Sequence, residues 1–209
     1  MRHPAPTPSG SPLPLSRLRA EHSAADDGPV KLARDDIEKF NNLVHELYQD
    51  APRVDADAIA SVARWLESQP LEQRELLLQA RLGRLDELKA MHSDPDWPLE
   101  PAQAHRIERI MDYVASENDL IPDATPTYGH LDDALLLELA WPMLAEDVDD
   151  YRDFCHFRDE QGGRSARPLH QLDWMNARAE EGALWEHLHR VHEQNYVEHG
   201  APDGSFRVS

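Results

Sequence analysis

The sequence predicts an all-α fold: a compact bundle of about six or seven helices behind a disordered, Pro-rich N-terminal tail. Between residues 31 and 199, apolar residues recur at spacings of three and four, as one face of a helix requires. No run alternates apolar and polar residues with the period of two that marks a strand. Proline and glycine fall mainly between the periodic segments, where they open helices or end them.

Residues 1–29 carry Pro4, Pro6, Pro8, Pro12, Pro14 and Pro29 among Ser, Gly and Ala. Such a composition buries too little apolar surface to offset ordering, so the tail is expected to be disordered. Leu13, Leu15 and Leu18 offer a short docking motif, but a floppy tail is the stronger expectation.

The N-terminal helical part spans residues 30–92. Ile37, Phe40, Val44 and Leu47 share one face of its first helix, and Asp35, Asp36 and Glu38 favour the positive end of the helix dipole. Pro52 follows its stop. The second helix covers about Asp55 to Ser68, with Ile59, Val62, Ala63 and Leu66 as its stripe. Pro70 ends it and suits the opening of a third helix, Leu71 to Met91, whose stripe is Leu78, Leu82, Leu85 and Leu88. The opposite face of that helix is charged and expected to be solvated.

Residues 93–100, with Pro95 and Pro98, form a Pro-rich connection ahead of Pro101. A second helical module is expected over residues 101–160. Ile107, Ile110, Met111 and Val114 stripe its first helix, and the crowded Leu131, Leu135, Leu136 and Leu139 predict a helix buried on most sides. Pro142 kinks or restarts it. Leu144, Val148, Tyr151 and Phe154 or Cys155 continue the stripe, with Glu146, Asp147, Asp149, Asp150 and Asp153 outside. A Gly-containing loop over residues 161–172 precedes a C-terminal helix over 173–199, N-capped by Asp173, and a frayed tail at 200–209.

Charge and composition narrow the function classes. The 209 residues suffice for one domain with a tail, or two small ones. Lys and Arg number 21 against 40 Asp and Glu, a net charge of −19. That argues against nucleic acid, whose phosphates need clustered cations, and against an anionic membrane bound through a basic face. A protein partner fits better; composition leaves the oligomeric state open. Cys155 is the single cysteine, so neither an intrachain disulfide nor a cysteine zinc finger is available, and a reducing, cytoplasmic location is expected. The N-terminal stretch lacks the continuous apolar region of a signal peptide, and the apolar run Ala134 to Ala145 is too short to span a bilayer.

The most specific stretch runs from Asp119 to Asp133. It holds Asp119, Ile121, Pro122, Asp123, Pro126, Gly129, Asp132 and Asp133 in the order Asp-x-Ile-Pro-Asp-x-x-Pro-x-x-Gly-x-x-Asp-Asp. That order resembles the signature of the YkvA-like family, a domain of unknown function, over about 40 residues from His105 to Ala145. The resemblance implies a small, mostly bacterial helical module with no settled biochemical activity, some members of which are thought to be membrane-associated. Family members often carry large apolar residues where this chain has Ala124, Thr125, Thr127 and Tyr128, and Glu138 sits in the following helix. Those departures disfavour membrane association here.

Each motif residue has a structural reading. Pro122 and Pro126 stiffen a helix-to-helix loop, and Gly129 permits a close backbone approach. Asp132 or Asp133 caps the following helix, and Asp119 and Asp123 bond the loop backbone. The functional reading makes Asp119, Asp123, Asp132 and Asp133 ligands of a divalent cation, with His130 a softer neighbour. Mg²⁺, Mn²⁺ or Ca²⁺ prefers such oxygen donors. No catalytic residue and no organic cofactor is assigned. A second cluster, Glu186, His187, His189, His192 and Glu193, lacks the order of zinc peptidases. No phosphate-cradling Gly loop, nucleophile elbow or catalytic triad is legible. The resulting expectation is a non-enzymatic protein-binding or regulatory module. The alternative is a divalent-metal-binding protein or metal-dependent hydrolase using the Asp-rich loop.

Overall fold

The computed structural model describes residue 13 and residues 32–116, 119–122, 125, 128–162 and 167–198; at 162, 189 and 191–198 it describes the helical backbone alone. Seven α-helices and no strand occur among the described residues: α1 Arg34–Leu47, α2 Ala56–Ser68, α3 Leu71–Ser93, α4 Pro101–Val114, α5 Leu131–Ala140, α6 Ala145–Gly162 and α7 Gln171–Glu198, with a 3-10 turn at Trp141–Met143. The predicted all-α class is therefore the observed one. The chain divides into two compact units, Met1–Arg152 and Asp153–Ser209. The Pro-rich segment 93–100 lies inside the first.

In the first unit α5 is central and packs on α1, α3 and α4. Its sequence dictates that position. Leu131, Ala134, Leu135, Leu136, Leu137, Leu139 and Ala140 are all buried, and a helix apolar on every side is stable only when surrounded. Beyond the two acids of its first turn, Asp132 and Asp133, Glu138 is the polar residue of this helix. It is held by Arg81 Nε at 3.3 Å and Arg84 Nη1 at 3.4 Å, both from α3. Arg84 also stacks over the Trp141 ring, 4.4 Å from its centroid.

Arg81 corrects the expectation of a wholly solvated charged face on α3: its side chain is 1% exposed. The stripe narrows accordingly. Leu85, Leu88 and Met91 are buried, while Leu78 and Leu82 are only half-buried. A buried guanidinium survives there because the Glu138 carboxylate balances its charge and the Leu77 carbonyl accepts from Nη1 at 2.9 Å.

The remaining elements follow local chemistry. Phe40, Leu43, Val44 and Leu47 turn α1 inward. Asn41, also buried, donates to Val54 O and accepts from Val54 N, each at 2.8 Å, and so ties α1 to the segment entering α2. Asp55 caps α2 by accepting from Ala58 N at 2.8 Å. Pro101 opens α4 within a capping box of Glu100 and Gln103. Trp97 is buried in the Pro-rich segment, edge-on to Tyr151 at 5.6 Å, and Tyr151 Oη donates to Asp94 at 3.0 Å.

In the second unit Phe154, not Cys155, takes the fully buried place in the α6 stripe. Trp174 Nε1 donates to Asp153 at 3.0 Å. The expected N-cap of α7, Asp173, lies two residues inside a helix that starts at Gln171. From there it reaches back to accept from His170 N at 3.1 Å and pairs with Arg167. An acid in the first turn thus serves the free amides without occupying the cap position. Glu186 and His187 are exposed on α7; the side chains of His189, His192 and Glu193 lie outside the described residues. No helix among the described residues is long and apolar enough to cross a membrane.

Candidate metal centre

Three stretches of chain build the site: the end of α4, the loop beyond it and the first turn of α5. Buried Leu120, Ile121 and Tyr128 anchor the loop by apolar burial. Consecutive turns then fold it back on itself, with Thr125 N to Pro122 O at 2.7 Å, Gly129 N to Thr125 O at 3.0 Å and Leu131 N to Tyr128 O at 2.8 Å. This folding carries Asp119 onto Asp132 and Asp133. One ligand atom from each of the three carboxylates lies within 4.8 Å of the others.

Asp132 is 0% exposed. Its Oδ2 accepts from Tyr113 Oη at 2.8 Å and from Ile121 N at 3.1 Å. Tyr113 Oη in turn accepts from Leu120 N at 3.2 Å, and its ring meets Phe40 edge-on at 5.8 Å. Asp133 is 1% exposed, and its Oδ2 lies 3.2 Å from His130 Nδ1. The second oxygen of each, Asp132 Oδ1 and Asp133 Oδ1, is buried and accepts no hydrogen bond. Buried carboxylate oxygens are ordinarily satisfied, so two orphans in one cluster require an explanation.

Electrostatics sharpen the point. Burial pushes the Asp132 carboxyl above the usual range, against the pull of Tyr113 and the Ile121 amide. Asp133 is pushed up to about 7, first by burial and then by the negative charge of Asp132, while His130 opposes the shift. Burial and then the Asp132 charge drive the Tyr113 hydroxyl upward, which keeps it a donor. Neither Lys nor Arg is among the main groups acting on Asp132 or Asp133. The cluster is therefore an acidic pocket whose charge calls for protons or a bound cation.

Of the sequence-predicted ligands, Asp119, Asp132 and Asp133 converge; Asp123 lies outside the described residues. The expectation that Asp132 or Asp133 caps α5 is corrected. The N-cap position is His130, and no side chain caps it. Asp132 instead reaches across to the loop amide and to α4, because the fold places better donors there. Tyr113 was not legible as part of the site. It sits three residues after Ile110 and reads as the edge of a core stripe, and nothing in one dimension shows its hydroxyl reaching residue 132.

Beside the cluster is a cavity of about 310 Å³ between α1, the end of α4 and the loop. Asp119 and Tyr113 contribute to its wall, as do Lys39, Phe40, Arg109 and Leu120. Lys39 pairs with Asp36 at 2.9 Å, and Arg109 forks onto Glu46 at 3.1 and 3.3 Å.

No protein-family model, curated protein or solved structure matches the chain. Its class is thus defined by fold and site: an all-helical protein with a buried Asp cluster suited to a metal ion.

Proposed function

We propose that this protein binds a divalent cation through Asp119, Asp132 and Asp133. The observation that carries the reading is the pair of orphaned, fully buried oxygens, Asp132 Oδ1 and Asp133 Oδ1, beside a third carboxylate. The donor set fits the group. Carboxylate oxygens are hard ligands, and Mg²⁺, Mn²⁺ and Ca²⁺ take them in preference to soft donors. A bound dication offsets the charge that burial makes costly, and Tyr113 and Ile121 N hold Asp132 in place by its other oxygen, as outer partners of metal ligands commonly do. The motif order supports grouping the chain with YkvA-like proteins, and the acidic cysteine-poor composition supports a cytoplasmic location.

Calorimetric titration with Mg²⁺, Mn²⁺, Ca²⁺ and Zn²⁺ tests the proposal. Saturable binding of one of the three hard cations is expected in wild type, and its loss in Asp132→Asn/Asp133→Asn. No saturable binding in wild type would sink it.

A second reading, a protein-binding module, is supported by α7. Leu172, Met175, Leu184, Trp185 and Leu188 are each more than half exposed there, and large apolar residues grouped at a surface commonly mark an interaction site. Cross-linking in a lysate, compared between wild type and Leu184→Ser/Leu188→Ser, tests it; identical adduct patterns would count against this reading.

A further inference from the structure

Leu13 is buried, with 5% of its surface exposed. It lies in no helix and directly precedes Pro14, which biases it to extended backbone. Successive side chains of an extended chain point to opposite faces, so its immediate neighbours do not cover it. The preceding Ser9, Gly10, Ser11 and Pro12 also offer little apolar surface. A leucine buried to this degree touches about six or more residues. Leu13 belongs to the first compact unit, Met1–Arg152, whose helices hold the apolar mass that such cover needs. At this one position the chain departs from the floppy tail that its composition predicts.

Charge favours the same contact. Residues 1–20 hold Arg2, Arg17 and Arg19 and neither Asp nor Glu, so all 40 acidic residues lie in the rest of the chain. A basic segment is drawn to an acidic body, and salt screens the attraction. Tethering adds to it: a segment on the same chain meets its acceptor at an effective concentration on the order of millimolar. Burial of one leucine is nonetheless offset in large part by ordering of the residues that carry it. The contact is therefore one that a competing segment displaces.

We infer that the first unit carries an apolar recess for a proline-flanked leucine, and that Leu13 fills this recess in cis as a tethered plug. The recess takes the same basic, Pro-Leu-Pro segment in trans once Leu13 is removed. The inference is independent of the cation.

The test uses the full chain, as wild type and as Leu13→Asp, and a fluorescent peptide of residues 8–20. Fluorescence anisotropy reads peptide binding, and the rate of trypsin cleavage after Arg17 and Arg19 reads docking in cis. The peptide is expected to bind Leu13→Asp saturably and wild type about ten-fold more weakly, because the recess of the wild type is already filled. A peptide that itself carries Leu13→Asp binds neither protein, and added salt weakens binding of the parent peptide. Trypsin is expected to cut the Leu13→Asp chain about ten-fold faster than wild type. Circular dichroism checks that the variant folds. No peptide binding to Leu13→Asp, equal peptide affinity for the two proteins, or equal cleavage rates overturns the inference.

Discussion

The Tyr113 hydroxyl lies 2.8 Å from Asp132 Oδ2 and joins the end of α4 to the first turn of α5. The same oxygen accepts from Leu120 N at 3.2 Å, so one phenol orients a buried carboxylate and satisfies a loop amide at once. Tyr113→Phe removes both bonds. It is expected to cost about 1–3 kcal/mol, since a buried charged acceptor loses a donor. Urea denaturation reads the loss, and a midpoint unchanged from wild type would show that the hydroxyl is dispensable.

Asp133 makes stability depend on pH in a defined direction. Its carboxyl titrates near 7 in the folded chain, raised by burial from the ordinary 3.8. The folded state thus binds more protons than the unfolded state between those values, and stability falls as pH rises through the window. Asp133→Asn removes the penalty. The metal-free variant is expected to be more stable than wild type at pH 7.5 by up to about 4 kcal/mol, with no such advantage near pH 3.5. Thermal melts at the two pH values check it; a variant less stable than wild type at pH 7.5 contradicts the assignment.

A cation that binds the folded chain adds stability by mass action. At pH 7.5, a concentration about 100-fold above its Kd should stabilise the wild type by about 2.7 kcal/mol, and Asp133→Asn should show little of this. The response should also shrink below pH 7, because protons compete for the ligands. A shift equal in wild type and variant would place the cation elsewhere.

Glu138 is expected to be more important to the fold than any exposed acid. Glu138→Ala leaves Arg81, 1% exposed, without its carboxylate. The expected loss is about 3–5 kcal/mol. Pairing Glu138→Ala with Arg81→Met should recover much of it, and a double variant no better than the single one would argue against the pairing.

Asn41→Ala breaks the two-point clamp on Val54 and strands a buried N–H and C=O. A loss of about 2–3 kcal/mol is expected, because the partners are left unsatisfied. Hydrogen exchange at Val54 N gives a local readout; protection equal to wild type would rule the clamp out.

Helix stripes were readable where each position has one neighbour surface. Ile59, Val62, Ala63 and Leu66 of α2, and Ile107 and Ile110 of α4, are buried as their spacing predicts. Spacing alone places Arg81 on the solvated face of α3, because a charged residue enters a core only when a distant partner receives it, and Glu138 is 57 residues away along the chain. The place of Asp132 at a helix start is local information and points to a cap, whereas its donors come from α4 and the loop.

By itself the sequence determined the helical class and most helix limits through periodicity, proline and glycine, and it marked the Asp-rich loop as the special stretch. Those features are local: a turn of helix or a loop proline acts on residues within a few positions. Only the tertiary structure decided that Asp119, Asp132 and Asp133 meet, that Asp132 Oδ1 and Asp133 Oδ1 are buried without a donor, and that Tyr113 and a cavity adjoin them. Burial and convergence depend on how α1, α4 and α5 pack, and the pKa of Asp133 depends on both. A carboxylate that would be an ordinary helix-terminal acid in isolation becomes a candidate metal ligand through the low-dielectric surroundings that the other helices supply.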